Sequence, residues 1–390
     1  MFDNLRDNSK IIVYIVVAAF VISGGLMGFG SYMSNSNNSA NTNRSQYIAE
    51  VNDKGITPQQ FLSVLRNYAS QADNLTQSEV IPFRLNVLNS MIEREILLDE
   101  ADNMGLVVEV SDEAVENNID QILEENDLTE EELINNLESQ DYTYEEFKSD
   151  IRESMVNSEK ISQVRESTYN NIEVNEEEIQ TAYENRYEDS EDKPALEEVR
   201  SDIKDTLLSQ KQNQTYQNWL KNKKSEANVT INDPVLYAYN ALNNNNYQVA
   251  IDSFNNLIEG ERGSASIYIY LANAYSGNEN YEKAIETYET GVKEYPDNWE
   301  LRISYGDYYA NREQNDKALE QYNTASELAG NNFYAHYQLF MSYNNIGASD
   351  EAEEEMQKIT EIQQQRQNTQ NTQEQIEQPS SIEEEIQQNQ

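Results

Sequence analysis

Ala250, Ala284, Ala318 and Ala352 stand 34 residues apart, and the aromatic and small residues around them repeat in the same register. This period constrains the C-terminal third of the chain more than any single motif could. Units of about 34 residues are supersecondary elements that cannot bury an apolar face alone, so they stack on their neighbours and build binding surfaces more readily than active sites.

Nine residues before each alanine stand Ala241, Tyr275, Tyr309 and Tyr343, and four residues after stand Phe254, Tyr288, Tyr322 and Met356. Twelve before stand Ala238, Ala272, Gly306 and Phe340. A small residue where two helices cross, large aromatics beside it and a proline closing the second helix make this pattern resemble the tetratricopeptide repeat over residues 233–363. Only Pro296 fills the proline slot, and the fourth repeat, with Phe340 at the small position, departs most, as a capping unit would. The resemblance implies a groove lined by the first helix of each repeat. It places Tyr239, Leu242, Ile269, Asn273, Ile303, Asp307, Tyr337 and Met341 on the concave side. None of these eight is Lys or Arg, so capture of a partner's C-terminal carboxylate is not expected, and the set suits a helix or an unfolded segment better. The other reading is that some of the eight only pack against the next repeat.

The 390 residues leave room for two or three domains. A formal net charge of -44, from 71 acidic and 27 basic residues, argues against nucleic acid and anionic lipid surfaces as partners. A solvated acidic surface and an acidic region built for a basic partner both account for it. Cysteine is absent, which excludes disulfides, thiol catalysis and thiolate metal sites.

From Ile11 to Met33 no residue is charged, and at 1.5 Å per residue the run can cross about 30 Å of hydrocarbon. It reads as a transmembrane helix. A cleaved signal peptide is the rival, since Gly28-Phe29-Gly30 offers a small-x-small site, but the apolar stretch exceeds the usual ~7–15 residues. Arg6 and Lys10 precede the span and the next basic residue is Arg44, which puts residues 1–10 in the cytoplasm and the bulk of the chain outside. Residues 34–46 form a Ser/Asn-rich tether reaching roughly 20 Å as a coil, and at most about 45 Å extended. At the other end, residues 364–390 are rich in Gln and Glu with few aliphatics, the composition of a disordered tail.

Between these regions, residues 47–231 read as mainly helical. Ile48 to Asn52 is a short strand running into a turn at Asp53-Lys54-Gly55, and Val229-Thr230-Ile231 is a second strand, so the two are expected to pair and close the domain. Thr57 with Pro58 and Gln60, Thr129 with Glu132, Thr143 with Glu146, and Asn175 before three glutamates are helix starts. Leu85, Leu88, Ile92 and Ile96 form one stripe on a helix that Gly105 would end, and Lys193-Pro194 leads into a long helix carrying Leu196, Val199, Ile203, Leu207, Tyr216, Trp219 and Leu220.

The order of an N-terminal span, the segment Ala49 to Thr57, Phe61, the helix through Leu88 to Leu97, Ala101 to Gly105 and Val110-Ser111-Asp112 resembles the N-terminal chaperone domain of the SurA, PpiD and PrsA family. The opening Met1 to Arg6 followed at once by the span is similar to the membrane-anchored PpiD branch, and Leu196 to Trp219 with Val229 to Ile231 looks like the return helix and closing strand. Catalytic relatives insert a parvulin prolyl-isomerase domain between the segment ending near Tyr187 and the helix beginning at Pro194. Only Glu188 to Lys193 occupies that place, and the sole histidine, His336, lies in the fourth repeat as an ordinary packed or half-exposed helix residue. No enzymatic activity is therefore expected.

Glu176 to Glu178 and Glu353 to Glu355 are consecutive carboxylates that point in different directions on a helix, with no His or Cys to complete a ligand set. No phosphate loop or nucleophile elbow is present, and neither a cofactor nor a metal is expected. The expected architecture is all-α with a minor β pair: a transmembrane helix, a SurA-like helical domain and a tetratricopeptide α-solenoid. The resemblance implies an ATP-independent holdase for unfolded or newly exported polypeptides beside the Sec translocon. A scaffold whose repeats assemble a membrane complex is the alternative, and an active isomerase with an unrecognised site is a second rival that the missing insert argues against.

Overall fold

The computed structural model describes residues 46–68, 75–139, 142–188, 190 and 192–377. The transmembrane helix expected at 11–33 and nearly all of the tether lie outside these residues, as does the tail beyond 377. Among the described residues no helix is long and apolar enough to cross a membrane. The chain falls into two compact units, one holding 46–68 and 86–233, the other 75–85 and 234–377.

In the first unit, β1 (Ala49–Val51) turns into β2 (Lys54–Ile56) through Asn52, whose φ of 51° lies in the left-handed region that asparagine tolerates. The closing strand β3 (Val229–Ile231) pairs antiparallel with β1, placing Ala49 opposite Ile231 and Val51 opposite Val229. The expected pair is thus a three-stranded sheet in the order β2-β1-β3. The extra strand arises because Lys54 and Gly55, expected as turn residues, fold back onto β1. Asn52 also secures the far strand, its backbone N–H donating to Asn228 O at 2.8 Å and its Oδ1 accepting from Asn228 N at 3.0 Å.

The helices begin where their caps dictate. Thr57 caps α1 (Pro58–Asn67), Thr129 caps α4 (Glu130–Glu138), Thr143 caps α5 (Tyr144–Ser167) and Asn175 caps α6 (Glu176–Arg186), each in a reciprocal capping box with the residue three positions on. Helix α2 (Gln77–Asn103) buries Leu85, Leu88, Ile92 and Ile96 and stops before Gly105, which has a φ of 69°. Helix α3 (Asp112–Glu125), capped by Ser111, joins α4 and α5 around Val115, Ile119, Ile122, Leu133, Leu137, Phe147 and Ile151. A second cluster, Leu97, Ala101, Val164, Tyr216 and Leu220, ties α2 and the far end of α5 to α7 (Leu196–Glu226). The pairs Lys223–Glu100 at 2.9 Å and Lys224–Glu93 at 2.8 Å flank that junction. Helices α6 and α7 meet directly: Tyr183 donates its hydroxyl to Pro194 O at 2.5 Å, and Arg186 pairs with Asp202 at 2.7 Å.

Four helix pairs make up most of the second unit: α8 (Pro234–Asn243) with α9 (Tyr247–Glu259), α10 (Ala265–Gly277) with α11 (Tyr281–Glu294), α12 (Trp299–Ala310) with α13 (Asn315–Leu328), and α14 (Phe333–Ile346) with α15 (Ser349–Glu377). The four alanines of the repeat are buried, because each marks a crossing too close for a larger side chain. Tyr288 and Tyr322 are buried beside them, whereas Met356, the fourth residue of that series, is exposed at the end of the array. The last helix continues past 363 to Glu377 rather than giving way to a disordered tail at 364. Gln, Glu and Arg are good helix formers, and no glycine or proline interrupts them before Pro379, so helix propagates from the packed turns.

Gly306 shows how tight a crossing becomes. A Cβ there would stand 2.3 Å from Cε1 of the buried Tyr322 ring. Gly306→Ala would restore the alanine found at this register in the first two repeats, yet it is expected to destabilise the repeat unit by about 1–3 kcal/mol through overpacking. Chemical denaturation followed by helical ellipticity checks this, and an unchanged midpoint would show that the ring moves aside freely.

Candidate protein-binding site

The first helix of each repeat forms one layer, since α8, α10, α12 and α14 pack successively on one another. Residues expected to line this layer meet different fates. Tyr239 is half-buried and places its ring edge-on to Tyr270 at 4.8 Å, and Leu242 is also half-buried. Ile269 and Ile303 are buried and offer no surface in this conformation. Asn273 and Asp307, by contrast, come together in one polar cleft of about 190 Å³ between α10 and α12. Tyr337 and Met341 lie one turn apart on α14, 49% and 53% exposed, and present the most open apolar surface among the eight.

Tyrosines inserted from the second helices organise the cleft. Tyr288 donates to Asn273 Oδ1 at 3.2 Å, and in the next repeat Tyr322 donates to Asp307 Oδ1 at 2.7 Å, with Ser342 adding a bond to the same oxygen at 3.2 Å. The donor and acceptor are 15 residues apart in both cases, so the bond repeats with the period of the fold. Although the surface of Asp307 is open, burial of its carboxyl among these groups raises its pKa, and the bonds from Tyr322 and Ser342 only partly offset that rise. Burial likewise pushes the Tyr288 and Tyr322 phenols upward, the nearby Asp307 charge adding to it, so both remain donors.

Sequence reasoning missed Arg312, which also lines the cleft. Its guanidinium lies over the Tyr308 ring at 3.8 Å and the Tyr281 ring at 4.5 Å, while Nη1 donates to Tyr308 O at 3.1 Å and Nη2 to Ser276 Oγ at 2.9 Å. No charge therefore appears among the eight register positions except Asp307, but the tertiary structure adds one cation beside it. Arg312 follows the last turn of α12, outside the periodic positions, so the repeat pattern could not point to it. Amides, hydroxyls and one charge of each sign make a socket suited to the hydrogen-bonding groups of a peptide. Among the described residues no group of three or more acidic or histidine side chains could hold a metal ion.

Of the packed and half-exposed placements open to His336 in the fourth repeat, the structure takes the packed one, and the residue belongs to a charged network. Its Nδ1 lies 2.5 Å from Glu355 Oε2 and its Nε2 lies 2.8 Å from Gly330 O. The other Glu355 oxygen accepts from Ser326 at 2.5 Å and from Lys358 at 2.8 Å. Burial alone would raise the Glu355 pKa, but the bonds from Lys358, Ser326 and His336 outweigh it and hold the carboxyl below its ordinary range. This network clamps α14 to α13 and α15 and is structural.

A mainly helical unit closed by a strand from each end, followed by an α-solenoid of paired helices, defines a helical protein-binding class of architecture. Comparison with known families makes it specific: residues 1–162 match the SurA-like N-terminal domain, and residues 238–298 and 271–333 match the tetratricopeptide repeat. The chain carries a SurA-like N-terminal domain followed by tetratricopeptide repeats, a combination that implies a chaperone-like or protein-binding role. A search among curated proteins finds no match.

Proposed function

We propose that this protein is a membrane-anchored, extracytoplasmic holdase that shields exported polypeptides without ATP. The observation that carries the proposal is the joining of a SurA-like domain to repeats that leave Tyr337 and Met341 open on α14. Two exposed apolar side chains one turn apart, in line with the polar cleft of Asn273, Asp307 and Arg312, suit segments that have not yet buried their own side chains and still need backbone hydrogen bonds. Holding such segments lowers the concentration of aggregation-prone chain. The uncharged run at 11–33 supports an anchor in the cell membrane, with residues 1–10 cytoplasmic. Tethering would raise the effective concentration of the holdase beside chains emerging from the Sec translocon.

We read the protein as non-catalytic. Support comes from the short connection between α6 and α7, whose flanking residues bond to each other, and from the location of the sole histidine in a structural clamp.

The test is light scattering of a refolding, aggregation-prone protein in the presence of the purified chain, with a proline-isomerisation assay on the same preparation. Suppressed scattering without isomerase activity is expected. The double substitution Tyr337→Asp and Met341→Asp should weaken client binding about tenfold, equivalent to ~1.4 kcal/mol, a modest loss for two contact residues. No suppression at any ratio would favour the scaffold reading, with one defined partner. Accelerated isomerisation would overturn the non-catalytic reading.

A further inference from the structure

The second unit contains a segment from far earlier in the sequence, residues 75–85, and the contacts that hold it are specific. Helix α2 begins here at Gln77. The first N–H groups of a helix have no partner within it. Thr76 takes the third of them, its carbonyl accepting from Glu79 N at 3.0 Å while its hydroxyl donates to Glu79 Oε2 at 3.0 Å. For the first two, the Gln77 N–H donates to Glu300 Oε1 at 2.9 Å and the Ser78 N–H donates to Glu300 Oε2 at 2.8 Å. Glu300 is only 6% exposed, so its charge is matched by these two backbone donors rather than by water.

A third backbone group is read as well. Pro82 sits inside α2 and has no N–H, which leaves the carbonyl four residues earlier, that of Ser78, without its helical donor. The buried Tyr270 hydroxyl donates to that oxygen. Asn298 completes the site by dividing its amide: Oδ1 accepts from Leu301 N at 2.8 Å to cap α12, while Nδ2 donates to Gln77 Oε1 at 3.2 Å. The Gln77 and Ser78 N–H groups and the Ser78 carbonyl, which the first turn and the proline of α2 leave without helical partners, are thus satisfied by α10 and by the start of α12.

We propose that Tyr270, Asn298 and Glu300 form a recognition site for the first turn of a proline-containing helix, and that Gln77–Pro82 of this chain is its resident occupant. The site reads two adjacent N–H groups without helical partners and a carbonyl freed by proline four residues later, so it fits a helix whose first two N–H groups are left open and that carries proline at its sixth position. A partner with that turn competes with the resident segment, and the inference is independent of the holdase reading.

The full chain tests this by amide hydrogen exchange at Gln77 and Ser78. Tyr270→Phe and Glu300→Ala are each expected to speed Ser78 exchange about tenfold, the loss of roughly one hydrogen bond. Gln77→Pro provides a variant on the other side of the contact. Proline at the first helical position keeps α2 intact but removes one donor to Glu300 and the bond to Asn298. In this variant, an unlabelled peptide of residues 74–86 added in trans should bind about tenfold more tightly than to the wild-type chain, and the further change Glu300→Ala should abolish that gain. Equal Ser78 exchange in wild type, Tyr270→Phe and Glu300→Ala would overturn the resident contact. Peptide binding that is absent from the Gln77→Pro chain, or indifferent to Glu300, would overturn recognition in trans.

Discussion

Phe147→Ala is expected to remove about 3–5 kcal/mol from the α3–α4–α5 core and to unfold it while the repeat unit stays folded. Phe147 is fully buried among Val115, Ile119, Ile122, Leu133, Leu137 and Ile151. The cluster is small, so losing its one fully buried aromatic side chain removes a large share of the apolar area that orders three helices. Segment-resolved hydrogen exchange should show faster exchange across 112–151 with little change across 265–328. A comparable loss in both regions would mean that the two units unfold together. If the SurA-like unit captures clients, the same substitution should abolish most suppression of aggregation, whereas a scaffold acting only through its repeats would keep its partner.

Glu355→Ala is the second large effect, at about 3 kcal/mol, the lower end of the range for breaking a buried ion pair because Lys358 stays partly open to water. The variant leaves His336 buried without its carboxylate and Ser326 without its acceptor, so α15 should detach from α14 before the earlier repeats melt. Acid should reproduce part of this loss. The Glu355 carboxyl lies below its usual 4.5 when folded, so its contribution is present above that value and is lost as the pH falls through the folded pKa. Thermal unfolding of the wild type from pH 6 to pH 3 should show the last repeat weakening over that interval, and Glu355→Ala should lack that component.

Much of this architecture was legible because it depends on neighbours in sequence. Thr57, Thr129, Thr143 and Asn175 cap helices through residues three positions away, and the 34-residue alanine register determines which side chains lie at helix crossings. The pairing of β1 with β3 was also legible, from a strand at each end of a helical stretch. The second hairpin strand was not, because Lys54-Gly55-Ile56 is too short to distinguish from a turn until it folds onto β1. Of the eight expected groove residues, Ile269 and Ile303 turned out to be covered, while Arg312 entered the cleft from just past α12, outside the periodic positions. Periodicity specifies which face of a helix a residue occupies, but not what lies over that face.

Within the described residues the sequence by itself determined the helical register, the caps, the repeat period, and the aromatic and small residues at the crossings. These follow from local hydrogen bonding and from spacings within one or two helical turns. Only the tertiary structure decided that Glu300 would satisfy the start of α2, that Tyr270 would take the carbonyl freed by Pro82, and that His336 would be held in an ion network. Each of these joins groups separated by 19 to 223 residues. A buried charge or an unpaired backbone group must find a partner somewhere, but only the packed chain decides which distant residue supplies it.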